Sequence, residues 1–407
     1  MNTRIGYLVP EFPGQTHIFF WREIEALKTM GIEPEMISTR HPPANIVSHT
    51  WASSAQQQTT YLFPGTQLLQ GAVLELMRSG PMGWLRCLGA IAQAQDVSLK
   101  GRLRLLGLML PGAEVAHLAR SRQWTHLHIH SCADAANVAL FAHLLSGIPY
   151  SLSLHGPLTD YGPNQPQKWQ HAKFAIAITK KLFHEIEAAL TDHLPHAVFI
   201  APMGVDCTTL QRSQPYVPWR SGTPFRLFSC GRLNRCKGHA DLIRAVGLLR
   251  QQDMEVELAI AGEDEQGGTG YRKELETLIQ ELNLQGSVHL LGAVSEAVVK
   301  QHLEASHAFC LASLHEPLGV AIMEAMAMET PVIVTGSGGV KELVDDGVDG
   351  LLVEPESPEQ IVSAVMRLMQ NTEFTVQLGK TAREKIVRSF HHKRSAEILM
   401  VGMGILD

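Results

Sequence analysis

The chain has 407 residues, of which 45% are hydrophobic and 18% charged, with a formal net charge of −6. That length allows two domains with cores of their own, and the acidic balance gives no support to a nucleic-acid partner. No apolar run is long enough for a spanning helix, and the start Met-Asn-Thr-Arg-Ile-Gly is not expected to be a secretory leader. Residues 1–217 carry +2 and the remainder −8, which predicts different surroundings for the two halves. Cys87, Cys132, Cys207, Cys230, Cys236 and Cys310 form no C-x-x-C pair or zinc spacing, so a reducing cytoplasm is expected.

In chain order, Arg4–Val9 reads as a buried strand, followed by the loop Pro10-Glu-Phe-Pro-Gly14-Gln-Thr16 and a helix over Phe19–Met30. Glu33–Ser38 reads as the next strand, and the polar stretch from Pro42 to Gln58 as a mobile loop. Val97–Leu110 mixes Lys100, Arg102 and Arg104 with leucines. It is either a core helix with snorkelling cations or a surface helix on anionic lipid, ended in both cases by Pro111-Gly112. Strands follow at His126–His130, Tyr150–His155, Phe174–Thr179 and Ala197–Ala201, with helices at Ala133–Leu145 and Lys181–Leu190 between them. His126, His128 and His130 share one strand face. Burial and the lack of an identifiable companion ligand favour a structural role over a metal site. The Pro-, Gly- and Ser-rich run Ser213–Pro224 marks a linker, after which the same alternation resumes from Phe225 to Val353. Apolar runs alternating with helices throughout predict an α/β protein with parallel sheets.

The most informative segment is Ser313-Leu-His-Glu316-Pro-Leu-Gly319-Val320-Ala-Ile-Met-Glu324, which leaves a buried-strand pattern and enters a helix. Gly319 lets a ligand approach the backbone, and the free amides that follow, beginning at Val320, suit phosphate oxygens. The pair resembles the E-x7-E motif of family-4 retaining glycosyltransferases. The resemblance continues, in the family's order, through Ser229-Cys-Gly231-Arg232-Leu-Asn-Arg-Cys-Lys237-Gly238, Leu258-Ala-Ile-Ala-Gly262-Glu and Val288-His-Leu-Leu-Gly292. Gly336-Ser-Gly-Gly339-Val-Lys-Glu342 and Asp346-Gly-Val-Asp-Gly350 close the set.

That resemblance implies the GT-B fold, two Rossmann-like domains facing a cleft. They would be an acceptor domain over 1–217 and a nucleotide-sugar domain over 218–385, with 386–407 crossing back to the first. It implies Arg232 and Lys237 as diphosphate ligands, with Gly14, Gly319 and Val320 contributing backbone. Glu324 would hold the ribose, and Glu316 would lie beside the reacting sugar carbon as nucleophile or positioning group. Ser153-Leu-His155-Gly156 is similar to the family's strand-end segment, whose histidine faces the sugar. The Gly14 loop resembles the exopolysaccharide and colanic-acid-type subgroup, although Gln15-Thr16-His17 stands where Ser-Glu-Thr is usual. The chain has no D-x-D, so no metal and no cofactor are expected, the nucleotide diphosphate sugar being the donor substrate. The function implied is a retaining transferase moving a hexose, UDP-linked, to a growing polysaccharide or lipid-linked glycan in the cytoplasm, with peripheral membrane contact. A soluble enzyme making a small glycoside or disaccharide, and an inactive nucleotide-sugar-binding protein, are the alternatives.

Overall fold

The computed structural model describes residues 3–42, 49–63, 68–264 and 270–406. Seven parallel strands form the first sheet: β1 (Thr3–Glu11), β2 (Ile32–Arg40), β3 (Thr60–Tyr61), β4 (His126–Ile129), β5 (Tyr150–Leu154), β6 (Phe174–Ala177) and β7 (Val198–Ile200). The second holds six: β8 (Phe225–Cys230), β9 (Val256–Ala261), β10 (Val288–Gly292), β11 (Ala308–Leu311), β12 (Val332–Thr335) and β13 (Leu351–Val353). Helices of the first half are α1 (Ile18–Thr29), α2 (Ala52–Gln58), α3 (Leu68–Gln93), α4 (Leu99–Ser121), α5 (Asp134–Ser146), α6 (Gln165–Gln170) and α7 (Lys180–Leu190). In the second half they are α8 (His239–Gln251), α9 (Tyr271–Glu281), α10 (Glu296–Ala305), α11 (Val320–Ala327), α12 (Val340–Leu343), α13 (Pro358–Gln370), α14 (Thr372–Ser389) and α15 (Lys393–Met403).

Helices cover both faces of each sheet, so central strands are buried throughout, as at Ile5–Val9 and Ala308–Leu311. That is why they read as continuous apolar runs. The strand orders are β3-β2-β1-β4-β5-β6-β7 and β10-β9-β8-β11-β12-β13. Each sheet therefore reverses direction once, between β1 and β4 and between β8 and β11. Loops leaving the two central strands at such a reversal splay apart and open a crevice at their carboxyl ends. The segments after β1, β8 and β11 are those carrying Gly14, Arg232 with Lys237, and Glu316.

Two expectations need correction. Residues 43–48 of the predicted mobile loop lie outside the described residues, but Ala52–Gln58 is helical. It is anchored by Trp51, which stacks on Trp21 at 5.1 Å and on Phe12 at 5.7 Å. Pro111-Gly112 does not end the helix begun near Leu99, which runs on to Ser121. Gly112 faces α5 so closely that a Cβ there would lie 2.6 Å from that of Phe141. Packing against α5 outweighs the hydrogen bond that Pro111 forgoes. α3, kinked at Gly80 with φ 61°, was not foreseen.

α15 packs on the first domain. Gly402 lies against the Phe174 ring, and Lys173 Nζ donates to Met403 O at 2.8 Å.

Candidate functional site

One cleft of about 700 Å³ between the domains is lined by Gly14, His155, Arg232, Lys237, Glu316, Gly319, Val320 and Glu324. The structure thus brings all eight sequence-derived candidates together.

Glu316 is set by its loop. Its Oε2 accepts from Lys237 Nζ at 2.6 Å and from Ser313 Oγ at 3.0 Å, and its side chain is 8% exposed. The Gly336–Gly339 turn forms the platform beneath it. Gly339 N donates to Glu316 O at 3.0 Å, and Ser337 Oγ donates to Leu314 O at 2.7 Å. Gly338 has φ +73°, and a Cβ there would lie 2.0 Å from Glu316 O. Only glycine fits both that dihedral and that approach. Gly319, at φ 94°, is the N-cap of α11 and has no side-chain cap. The first amides of that helix, from Val320, are left facing the cleft.

Glu324 lies one turn into α11, where its Oε1 accepts from Arg22 Nη2 at 2.7 Å, both side chains being about 12% exposed or less. Arg22, on α1 of the other domain, lines the cleft and has its Nη1 buried without a hydrogen-bond partner. Other contacts span the domains. The Gln15 amide donates to Glu263 O at 3.1 Å and accepts from Glu263 N at 3.2 Å. His49 Nδ1 lies 3.2 Å from Glu296 Oε2. Glu342 accepts from the amides of Lys180 and Lys181, each at 2.8 Å. Gly14 has a steric role as well, since a Cβ there would lie 2.8 Å from the His17 ring.

His155 is backed by a buried polar chain. Its Nε2 lies 2.9 Å from His130 Nδ1. His130 Nε2 lies 2.9 Å from Glu23 Oε2, an electrostatic contact whose alignment falls short of a hydrogen bond. Tyr7 Oη donates to the same carboxylate at 2.5 Å. The carboxylate favours a proton on His130 Nε2, which makes His130 Nδ1 the acceptor and His155 Nε2 the donor. His155 Nδ1 is then left as an acceptor. Burial lowers the pKa of His155 and of His130 to about 3, His130 adding to the effect on His155, so both imidazoles are neutral near pH 7. Burial, followed by the charge of Arg232, lowers His17 to about 3 as well.

The histidine face of β4 does have a companion ligand, contrary to the sequence reading: Glu23, His128 and His130 have ligand atoms within 4.8 Å of one another. Most of their atoms are engaged, His130 Nε2 being the one without a hydrogen bond. His128 Nδ1 lies 2.7 Å from Ser151 Oγ and its Nε2 3.1 Å from Ser153 Oγ, while Glu23 takes the Tyr7 phenol. The trio completes a core hydrogen-bond network. Arg22, Glu23 and Gln15 escaped the sequence reading. The available signal was two adjacent charges, Arg22-Glu23, inside the apolar helix Ile18-Phe-Phe-Trp.

Residues 218–385 match the family model described as glycosyl transferases group 1. The chain is 32% identical over 187 residues to the amylovoran biosynthesis glycosyltransferase AmsK of Erwinia amylovora, covering 43% of this chain and 44% of that protein. It is 25% identical over 342 residues to the α-maltose-1-phosphate synthase of Mycobacterium tuberculosis, covering 76% and 86%. The match spans between two-fifths and half of the length of the first curated relatives. Among solved structures, Anabaena Alr3699/HepE in complex with UDP and glucose superposes with a TM-score of 0.71 at 19% identity, over 98% of this chain and 99% of that one. The fold is GT-B, two Rossmann-like domains facing a cleft.

Proposed function

We propose that the protein is a metal-independent, retaining hexosyltransferase that moves a hexose from a UDP-linked donor to a growing polysaccharide or lipid-linked glycan. The observation that carries this is the convergence of two cations, two carboxylates and an open helix N-terminus in one interdomain cleft. In this reading Arg232, Lys237 and the α11 amides from Val320 bind the diphosphate, with the Gly14 loop closing over it. The negative charge there grows as the glycosyl bond breaks, so these groups act most strongly in the transition state. Glu324 accepts from the ribose hydroxyls. Glu316 stands beside the anomeric carbon, where its charge favours the developing oxocarbenium ion, and His155 Nδ1 accepts from a sugar hydroxyl. The leaving phosphate takes the acceptor's proton on the same face, which yields retention without a base opposite.

The amylovoran enzyme supports a polysaccharide or lipid-linked acceptor, and the UDP complex of the Anabaena protein supports UDP. A second reading, a small soluble glycoside as product, is favoured by the broader coverage of the maltose-1-phosphate synthase. In both readings the enzyme would work in the cytoplasm, and in the first at the inner face of a membrane. The test is a thermal-shift screen of UDP-glucose, UDP-galactose, UDP-N-acetylglucosamine and GDP-mannose, followed by donor hydrolysis and transfer assays. A donor raises the midpoint by mass action. Stabilisation by none of them, or binding without hydrolysis or transfer, would defeat the proposal, the latter pointing to an inactive nucleotide-sugar-binding protein.

A further inference from the structure

Among the described residues eighteen large apolar side chains are exposed, and eleven of them fall between Val73 and Leu110 on α3 and α4. Met77, Met82 and Leu85 on α3 are 61–66% exposed, and Leu99 and Leu103 on α4 are 83% and 69% exposed. Isolated exposed leucines need no explanation, but a concentration on two helices packed side by side is an interaction surface. The outer face is also one-signed. Arg78, Arg86 and Lys100 are exposed there, whereas Glu75 and Glu114 point inward and are buried. Asp96, in the turn between the helices, is the one exposed acid from Val73 to Leu110. Arg104 instead lines the cavity behind α4, where Asp134 engages it, so three cations remain on the outer face for a partner.

The inner side of α4 bears on the reaction. Val97, Gly101, Leu105 and Leu108 line a second cavity of about 760 Å³. That cavity shares Pro10, Arg40, Asp160 and Tyr161 with the donor cleft. One helix therefore has an apolar face with Lys100 outside and a chamber leading to the cleft inside. Its floor holds polar groups suited to a headgroup. Asn164 is 3% exposed with its Oδ1 unpartnered, and Lys168 is wholly buried, its Nζ donating to the carbonyls of Cys132 and Tyr161 with no ion pair among the described residues.

We infer that the outer face of the α3–α4 hairpin docks on the surface of an anionic lipid bilayer, bringing the cavity behind α4 to the headgroup layer. This rests on the reading of the protein as a transferase with a lipid-linked acceptor. The occupant follows from charge and chemistry: leucine, methionine and Trp84 enter the acyl boundary while Arg78, Arg86 and Lys100 meet lipid phosphates. No helix among the described residues is long and apolar enough to cross a membrane, so the contact lies in the plane of the interface.

The test is co-sedimentation of the full chain with vesicles of pure phosphatidylcholine and of equal parts phosphatidylcholine and phosphatidylglycerol, at low and high salt. Three cations predict roughly hundredfold tighter binding to the anionic vesicles at low salt, most of it lost at high salt. The pairs Leu99→Glu/Leu103→Glu and Met82→Glu/Leu85→Glu should each weaken binding at least tenfold with unchanged thermal midpoints. Those side chains are exposed, so failure to fold is not an expected confounder. Equal absence of binding to both vesicles, or binding indifferent to both pairs, would overturn the inference. So would a concentration-dependent dimer in light scattering that the same pairs dissolve, since the face would then belong to a second copy. UDP calorimetry on the wild-type protein separates the two levels: UDP binding together with no vesicle binding refutes the docking alone, and no UDP binding refutes the donor reading.

Discussion

Replacing Glu316 by glutamine keeps the side chain's shape and removes one charge, and the structure sets opposite expectations for binding and turnover. Glu316 holds Lys237 at 2.6 Å, so a diphosphate that recruits Lys237 must draw the ammonium away from the carboxylate. A charge-assisted hydrogen bond is worth a net ~1.5–3 kcal/mol and a neutral one ~0.5–1.5. In Glu316→Gln the pull on Lys237 therefore weakens by about 1 kcal/mol, and UDP should bind as well as to wild type or up to about fivefold more tightly. Turnover should move the other way. Losing the charge beside the sugar carbon costs roughly 2.7–4 kcal/mol at the transition state, about a hundred- to thousandfold in rate. Lys237→Ala is the companion variant, and there UDP affinity should fall by roughly ten- to a hundredfold together with turnover. Calorimetry with UDP beside initial rates on the same preparations reads both. Near-normal turnover in Glu316→Gln would refute its place beside the reacting carbon. A loss of UDP affinity in step with turnover would show that the carboxylate serves nucleotide binding instead.

Glu23→Gln should lower kcat by up to about tenfold at unchanged UDP affinity, because His130 loses the carboxylate that sets its tautomer and, through it, that of His155. An unchanged kcat would sever that chain from catalysis. Gly338→Ala should destabilise the fold by at least ~1 kcal/mol and abolish turnover, since the new methyl meets Glu316 O at 2.0 Å; urea melts with rate measurements check both. Activity should survive EDTA, and complete loss restored by magnesium or manganese would contradict the metal-independent reading. His17, His126, His130 and His155 each have a pKa lowered to about 3, chiefly by burial. Their contribution is therefore full above the unfolded pKa of about 6.5 and falls by roughly 1.4 kcal/mol per imidazole for each pH unit below it, until about pH 3. Urea melts that do not change between about pH 7.5 and about pH 5 would contradict this burial.

The strands of both sheets were legible because burial on two faces leaves an uninterrupted apolar run, as in Ala308-Phe-Cys-Leu. Two-residue β3 is too short to leave a pattern. α3 was missed because Gly80-Pro81 in its middle reads as a turn, and the two helical halves are joined across that kink. Pro111 misled because the packing of Gly112 on α5 is a tertiary fact. Within the site, Glu316, Glu324, Arg232 and Lys237 were readable from loop motifs at strand ends. The Arg22–Glu324 pair joins residues 302 positions apart. The approach of His130 to His155 depends on the register of β4 on β5. Neither leaves a local signal.

The clasp between Arg22 and Glu324 has a thermodynamic corollary. One partner belongs to each domain, and Glu324 is also the carboxylate assigned to the ribose. Shutting the cleft and binding the nucleoside are then two equilibria that share a carboxylate. By reciprocity, whatever factor closure applies to nucleoside affinity, the nucleoside applies to closure. An Arg22 variant would change that coupling factor equally in both directions without touching the diphosphate. Closure and nucleoside affinity in this protein would then be linked by a single factor, read equally from either side.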